Sequence, residues 1–506
     1  MTILRIASFC AVIFLGFLLC NNPIGALFLS ALEGEKIDKT IAEDPAVKTQ
    51  SNTLAHYVMG SIYDNFGETS RAISEYEKAV SFDENVSEIH ARLGADLLIK
   101  GDVDNAISSL NRALEIDPEN VTPYGLLAVV NTAQGNYEKA QELYEEALKH
   151  DPENLKVLTF LADLFIIQRK LDKAAEVYEK ILSIRRNDAF LYFNLGLIYS
   201  KLQDLDKAKE NLQKAIEQDK SFLEAQMVLG FIFEIEGNFQ EAIKQYEKIA
   251  EVDPLNREAY IRLGQLYYKL GETEKAIEQN RILMRLDVNF PAPYLRVFSI
   301  YIAERRYTEA ETILLEALKN GISGPFVYAG LGYLAVIEKD YPKAVEYYRI
   351  AVDKEPENNL YLFYLASALE RSGERGKAIG ILEKLVSETD KLPEAYNYLG
   401  YLYIEENKDL DRAVTLIRKA LESDPDNGAY VDSLGWAYFK KGMYNEALNE
   451  LKRAVELMPD DPIVREHLGD TYQALGEGRK AYEEWEKALE LDPGNKSLIK
   501  KIRRNR

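Results

Sequence analysis

Cysteine and histidine are scarce in this chain. The 506 residues include only two cysteines, Cys10 and Cys20, and both stand in the first apolar stretch. The rest of the sequence therefore offers no disulfide and no thiol for catalysis or metal binding. The four histidines, at positions 56, 90, 150 and 467, have no set of Cys, Asp or Glu at metal-ligand spacing. We expect no metal and no cofactor.

Positive charge is also in short supply. The chain has 62 Lys and Arg against 83 Asp and Glu, a net charge of −21. Proteins that bind a nucleic-acid backbone neutralise its phosphates with clustered Lys and Arg, so we expect no nucleic-acid partner. The acids are interpreted as a solvated outer face. The exception is a basic C-terminal tail, residues 496–506, whose cations suit an anionic partner but are also ordinary at the end of a last helix.

Motifs that carry enzyme chemistry are missing as well. The stretch Gly373-Glu-Arg-Gly376-Lys377 has glycines beside a lysine but lacks the spacing of a phosphate-binding loop. No nucleophile elbow occurs, and no strand-rich segment would carry one. We therefore predict no catalytic residues and no enzyme activity.

Alanine, by contrast, recurs at a fixed interval. Every interval is 34 residues except the one from Ala378 to Ala413, which is 35. The thirteen positions are Ala72, Ala106, Ala140, Ala174, Ala208, Ala242, Ala276, Ala310, Ala344, Ala378, Ala413, Ala447 and Ala481. A fixed period of this length predicts stacked repeats, which present long surfaces to partners.

Each period contains two apolar segments separated by turn signals. A small residue precedes each alanine by twelve positions (thirteen across the insertion), with Phe298 as the one large exception. These residues are Gly60, Gly94, Ala128, Ala162, Gly196, Gly230, Gly264, Phe298, Gly332, Ala366, Gly400, Gly435 and Gly469. Leucine before this small position and an aromatic three residues after it form one helix face. Glycine then ends the first helix, and Asp-Pro pairs such as Asp117-Pro118 end many of the second helices.

This pattern resembles the tetratricopeptide repeat (TPR) family over about residues 53–495. The resemblance implies an all-α fold, an α-α superhelix of about thirteen helix-turn-helix repeats. Repeats 1–10 are expected in residues 53–392, and repeats 11–13 in residues 393–495. Asn280 replaces a large apolar residue and Phe298 a small one, so we expect looser packing or sharper curvature between about residues 280 and 325.

The resemblance also predicts which side chains line a concave groove. They lie three and six places before the small residue and one and four places after it. The predicted partner-binding residues are Phe190, Phe193, Leu197, Met227, Phe231, Ile261, Tyr268, Leu295, Phe326, Tyr333, Phe363, Tyr401, Trp436 and Phe439. The same spacing includes Ile302, Val336, Leu360 and Ile404, while Arg92, Arg262 and Arg296 would supply charged contacts. Any single one of these side chains is equally compatible with burial between repeats, but the strip as a whole favours recognition of a partner.

Two further resemblances bear on the partner. The family's carboxylate clamp needs Lys and Asn at positions that hold Tyr57, Ser61, Ala91 and Ala95 here, so a chaperone-tail adaptor is disfavoured. The last three repeats, with Val431-Asp-Ser-Leu-Gly-Trp436, are similar to bacterial envelope TPR lipoproteins. At least one of those lipoproteins is an adaptor for a carboxyl-terminal processing protease in the periplasm.

The N-terminus differs from the repeats. Arg5 precedes an apolar run from Ile6 to Cys20, and a second run reaches Leu32. Residues 1–32 are interpreted as a signal peptide or a membrane anchor, and lipidation at Cys20 is a third alternative. Residues 33–52 are interpreted as a linker. Each alternative predicts an exported protein, periplasmic or tethered facing the periplasm, that touches the membrane only through its N-terminus.

The sequence thus predicts a scaffold or adaptor that binds proteins, among them envelope proteins or a processing protease. The alternative is a structural or assembly component of an export or polysaccharide-secretion apparatus, in which the chain would self-associate.

Overall fold

The computed structural model describes residues 45–504, and every regular element in this range is an α-helix. The helices are α1 (Pro45–Asn65), α2 (Thr69–Phe82), α3 (Ser87–Lys100), α4 (Val103–Ile116), α5 (Val121–Ala133), α6 (Tyr137–His150), α7 (Leu155–Ile167), α8 (Leu171–Ile184), α9 (Ala189–Lys201), α10 (Leu205–Gln218), α11 (Leu223–Ile235), α12 (Phe239–Val252), α13 (Arg257–Lys269), α14 (Thr273–Leu286), α15 (Pro291–Ala303), α16 (Tyr307–Lys319), α17 (Pro325–Ile337), α18 (Tyr341–Lys354), α19 (Asn359–Arg371), α20 (Arg375–Glu388), α21 (Pro393–Glu405), α22 (Leu410–Ser423), α23 (Gly428–Lys440), α24 (Tyr444–Leu457), α25 (Pro462–Ala474), α26 (Gly478–Leu491) and α27 (Lys496–Arg504). The described chain divides between Pro254 and Leu255 into two compact units, called unit 1 (α1–α12) and unit 2 (α13–α27).

The helices form thirteen consecutive pairs, from α1–α2 to α25–α26, followed by α27. This confirms the predicted all-α repeat fold. Local sequence signals set the helix ends. Gly101 ends α3 with a left-handed φ of 86°, which glycine adopts without a Cβ penalty. Asn120 and Asn154 cap α5 and α7, because each side-chain oxygen accepts a backbone N–H of the first turn.

Close contact within each pair explains the period. All thirteen repeating alanines are fully buried, with 0% of their surface exposed. The small residue of the first helix makes room for a large side chain of the second. A Cβ on Gly196 would lie 2.8 Å from Cγ of Leu212, and one on Gly230 would lie 2.7 Å from Cε1 of Tyr246. Such distances are too short for carbon atoms, so larger residues at these glycines would overpack the pair.

The single-residue insertion lies in the turn between α21 and α22. Both Asn407 (φ 50°) and Asp409 (φ 43°) are left-handed there. Asn and Asp tolerate this conformation better than other non-glycine residues. The Asp409 side chain also accepts the backbone N–H of Arg412 at 3.2 Å, so the extra residue caps α22.

The two unusual positions of the repeat pattern are both packed. Asn280 is 2% exposed, and its Nδ2 donates to the Ala276 carbonyl at 2.8 Å. Its Oδ1 is buried without a hydrogen-bond partner. Phe298 extends towards the next repeat, where a Cβ on Gly330 would lie 3.1 Å from its Cζ. The irregularity therefore consists of an unsatisfied polar atom and a contact that crosses between repeats.

Helical structure extends into the segments interpreted from the sequence as a linker and a basic tail. Helix α1 begins at Pro45, so residues 45–52 are helical, while residues 1–44, including Cys20, lie outside the described range. Residues 496–504 form α27, with Leu498 and Ile502 buried. Lys501 is bound to Glu466 at 2.7 Å and to Asp470 at 2.6 Å. Within residues 45–504, no helix combines the length and the apolar content needed to cross a bilayer.

Candidate protein-binding groove

Several neighbouring first helices within each unit contact one another directly. In unit 1, α3 contacts α5 and α5 contacts α7; in unit 2, α21 contacts α23 and α23 contacts α25. Each second helix packs on the first helix of its own repeat and on that of the next repeat of the same unit. The surface of the first helices that carries the predicted groove positions is called the first-helix face.

Most of the predicted groove residues reach the surface. Six of them are exposed, by 38–64% of their area: Phe190, Phe231, Tyr268, Leu295, Tyr333 and Tyr401. The other eight are half-buried: Phe193, Leu197, Met227, Ile261, Phe326, Phe363, Trp436 and Phe439. Of the four further positions, Leu360 is exposed, and Ile302 and Val336 are half-buried. Ile404 is fully buried, so the assignment of this residue to the groove is wrong; it belongs to the core.

Three phenylalanines form a cluster on the first-helix face of unit 1. The rings of Phe190 and Phe222 are stacked with centroids 5.9 Å apart, and Phe193 lies 4.9 Å from Phe222. Phe190 remains 64% exposed despite these contacts. The cluster therefore presents an aromatic edge to solvent, and such edges are favoured at protein interfaces.

A stack of three rings lies near the C-terminal end of unit 2. Trp436 stacks against Phe439 at 4.6 Å and against His467 of the next repeat at 4.0 Å. Trp436 Nε1 donates to Glu405 Oε1 at 3.4 Å, and His467 Nδ1 lies 2.9 Å from a carboxylate oxygen of Asp432. The rings of α23 and α25 thus form one aromatic surface, which also contacts the carboxylates of Glu405 and Asp432.

A second aromatic contact links α19 and α21. Phe363 meets Tyr398 edge to face at 5.9 Å, and the Tyr398 hydroxyl donates to Glu370 Oε2 at 3.2 Å. Burial, followed by the Glu370 carboxylate, raises the pKa of Tyr398 to about 12. Burial also raises the pKa of the neighbouring Tyr401. Both phenols stay protonated at neutral pH, and that of Tyr398 serves as a hydrogen-bond donor to Glu370.

The three predicted arginines differ from one another. Arg92 Nε donates to Glu88 at 2.9 Å, and Arg262 Nε donates to Glu258 at 2.8 Å, both four residues earlier in the helix. Arg296 is half-buried, and its Nη1 is buried without a hydrogen-bond partner. Of these three guanidinium groups, that of Arg296 has the fewest internal interactions.

Sequence reasoning missed Phe222, Tyr398, His467 and Asp432. Phe222 lies in the turn before α11, outside the helical spacing that defines the groove positions. Tyr398 and His467 occupy the place two residues before the small position, where arginine was the only residue type predicted to contact a partner. Aromatic residues at that place are the sequence signal that points to both. Asp432 lies at a groove position, but the residues predicted to contact a partner at groove positions were apolar.

Within residues 45–504, no group of three or more His, Cys, Asp or Glu is arranged to hold a metal ion. The hydrogen bonds on this face join aromatic side chains to carboxylates and so fix the orientation of the rings.

One buried acid lies beside the start of unit 1. Asp96 is 5% exposed, and its Oδ2 has no hydrogen-bond partner. Burial and the neighbouring Asp64 carboxyl, which accepts the Tyr76 hydroxyl at 2.6 Å, raise the pKa of Asp96 to about 7, against a lowering effect of Arg92.

This raised pKa predicts a dependence of stability on pH. Between about pH 4 and pH 7 the folded chain keeps a proton on Asp96 that the unfolded chain releases, so this group's contribution to stability falls as pH rises. Asp96→Asn mimics the protonated acid. We expect its stability relative to the original chain to increase from pH 5 to pH 8, measured as the difference in denaturation midpoint. Asp104→Asn, an exposed acid on α4, serves as the control, and an equal trend in both variants would contradict the prediction.

Family models confirm the repeats along the chain. Models described as tetratricopeptide repeat match residues 54–86, 97–164, 131–195, 189–222, 235–292, 330–393, 365–428 and 464–495, and a model described as TPR repeat matches residues 435–476. The chain belongs to the tetratricopeptide repeat family. A TPR array of this kind is suited to protein–protein interaction.

Similar proteins are known at low identity. Protein O-mannosyl-transferase Tmtc3 of Drosophila melanogaster is 30% identical over 114 residues, which are 22% of this chain and 12% of that protein. The TPR chain therefore matches only a small part of this curated relative. Among solved structures, the APC/C hetero-tetramer Cut9–Hcn1 is 17% identical with a TM-score of 0.42, covering 83% of this chain and 96% of that one. Naa15/Naa10 bound to HypK-THB is 18% identical with a TM-score of 0.45, covering 89% and 78%.

Proposed function

We propose that this TPR protein is a non-enzymatic scaffold or adaptor that holds segments of partner proteins on its first-helix face. The observation that carries the proposal is the exposure of large apolar side chains at the groove spacing, from Phe190 and Phe231 in unit 1 to Tyr333 and Tyr401 in unit 2. Exposed apolar side chains grouped in this way mark interaction sites more often than unused surface. Aromatic residues supply much of the binding energy at such sites.

The proposed setting is the bacterial cell envelope, with the repeats exported and either periplasmic or tethered facing the periplasm. It is supported by the apolar sequence of residues 1–32 and by the resemblance of the last three repeats to envelope TPR lipoproteins. A processing protease or another envelope protein is the proposed partner. The rival assignment, an assembly component of an export or polysaccharide-secretion apparatus, predicts self-association or binding of export-channel subunits instead.

A crosslinking experiment tests both the face and the partner. A photoreactive amino acid is placed at Tyr333 or Trp436 in the full chain, and the captured proteins are identified. The matched controls are Arg349 and Lys452, exposed residues on the second helices α18 and α24 of the same repeats. We expect adducts from the first pair alone. Equal adducts from the control positions would argue against the first-helix face.

Removal of two exposed rings should weaken partner binding without unfolding the repeats. Tyr333→Ala combined with Tyr401→Ala is expected to reduce affinity for the captured partner by roughly thirtyfold or more, as loss of interface aromatics typically does. The thermal midpoint should stay nearly unchanged, because these side chains are 44% and 38% exposed. A large fall in the midpoint would show that the two rings belong to the core.

A further inference from the structure

Arg296 is the one charged residue in two successive first helices. Helix α15 contains Arg296 and no other charge, and α17 contains none. The neighbouring first-helix face is apolar, since Leu295 and Tyr333 are 43% and 44% exposed. A guanidinium in such surroundings is costly to desolvate unless an anion or hydrogen-bond acceptors accompany it.

The carboxylate that accompanies the equivalent arginines is missing from α15. Arg92 and Arg262 also stand two residues before the small position, and each binds a glutamate four residues earlier. The residue four places before Arg296 is Ala292. Nη1 of Arg296 is buried without a hydrogen-bond partner, and no ion pair of Arg296 occurs among residues 45–504.

The preceding repeat does not supply an acid either. Side chains at this place reach back to the repeat before them: His467 contacts Asp432, and Tyr398 contacts Glu370. The residues of α13 that correspond to Asp432 and Glu370 are Ile261 and Tyr268. In the helix before Arg296, an apolar and an aromatic residue therefore occupy the two positions whose carboxylates bind the equivalent side chain in other repeats.

We propose that a carboxylate of a bound peptide segment binds the Arg296 guanidinium, through its nitrogens other than the buried Nη1, on the first-helix face of α13, α15 and α17. Guanidinium binds carboxylate through paired, charge-assisted hydrogen bonds, and a partly desolvated site strengthens them. Apolar side chains of the same segment would contact Leu295, Tyr268 and Tyr333. The ligand class is thus an apolar peptide segment with one Asp or Glu side chain, because glutamate side chains are what the equivalent Arg92 and Arg262 bind. This inference rests on the proposed function of the first-helix face.

Binding of synthetic peptides in solution tests the inference directly. Short synthetic apolar peptides are prepared in three forms: a central Glu with an amidated end, a central Gln with an amidated end, and a central Gln with a free C-terminal carboxylate. Binding to the full-length chain is measured by fluorescence anisotropy. We expect the central-Glu form to bind at least about tenfold more tightly than either Gln form. A preference for the free C-terminal carboxylate alone would overturn the assignment to a side chain.

Substitutions assign the preference to Arg296. Arg296→Met should abolish the preference for carboxylate while the amidated Gln peptide still binds, and the thermal midpoint should not fall, because no internal ion pair is lost. Arg262→Met, the matched variant whose guanidinium is paired with Glu258, should keep the preference. Equal binding of all three forms, or a preference that survives Arg296→Met, would overturn the inference and leave the groove function standing. If no peptide binds, the proposed function of this face fails and the inference fails with it.

Discussion

Trp485→Ala should lower the free energy of unfolding of the C-terminal repeats by about 3–5 kcal/mol, the usual cost of emptying a buried aromatic site. Trp485 is 2% exposed, and a Cβ on Gly469 would lie 2.6 Å from its indole ring. Its Nε1 also donates to Asp470 at 3.0 Å, and Asp470 holds Lys501 of α27. The substitution therefore removes the ring that fills the last repeat and weakens the anchor of the final helix.

The second tryptophan provides both the probe and the control. Trp436 lies on α23, the first helix of the preceding repeat, and is half-buried, so its fluorescence in Trp485→Ala reports denaturant unfolding at this end of the array. Trp436→Ala should cost much less stability while it weakens partner binding. Equal losses of stability in the two variants would mean that Trp436 is a core residue and that the aromatic stack is not a binding surface.

Leu212 and Asn280 occupy the same second-helix position in two repeats, and exchanging these residue types should change the free energy of unfolding in opposite directions. Leu212 is 0% exposed and lies over Gly196, so Leu212→Asn should destabilise by about 2–5 kcal/mol through lost packing and a newly buried amide. Asn280 occupies the same place over Gly264, and Asn280→Leu should stabilise by about 1–3 kcal/mol, because the unsatisfied Oδ1 disappears. Guanidinium unfolding curves of both variants measure the two effects.

The outcome of Asn280→Leu distinguishes two explanations of the polar residue. A gain in stability would show that the space at Gly264 accepts leucine, as Gly196 and Gly94 accept Leu212 and Leu110. A loss would indicate overpacking, and Asn280 would then be the residue that fits this pair best. Gln213→Leu, at an exposed position of α10, controls for the general effect of adding an apolar side chain.

The repeat period was sufficient to predict the helix pairs, because the same local signals recur in every copy. Buried Ala72 and Ala481 are separated by most of the chain, yet both follow from one spacing rule. The same rule placed Tyr333 and Tyr401 on the surface. It failed for Ile404, whose position in the pattern does not reveal that its side chain turns into the core.

The sequence pattern did not predict the contacts between repeats. His467 and Asp432, or Lys501 and Glu466, are 35 residues apart, and their pairing depends on side-chain rotamers that no spacing encodes. Phe222 was not predicted for a related reason, because a turn and not helical periodicity positions its ring. The missing partner of Arg296 likewise became visible only once the surrounding side chains were placed.

The contact of Phe298 with Gly330 limits where whole repeats of this array can be duplicated, lost or exchanged. Repeat arrays grow and shrink by duplication or loss of whole units, which is harmless where each large side chain is matched inside its own unit. Gly330 also accommodates Leu314, since an added Cβ would lie 2.7 Å from its Cδ1. A recombination junction between α16 and α17 would separate Gly330 from both Phe298 and Leu314. We expect the eighth and ninth units to be exchanged together, and engineered chimaeras to tolerate junctions elsewhere in the array better than at this one.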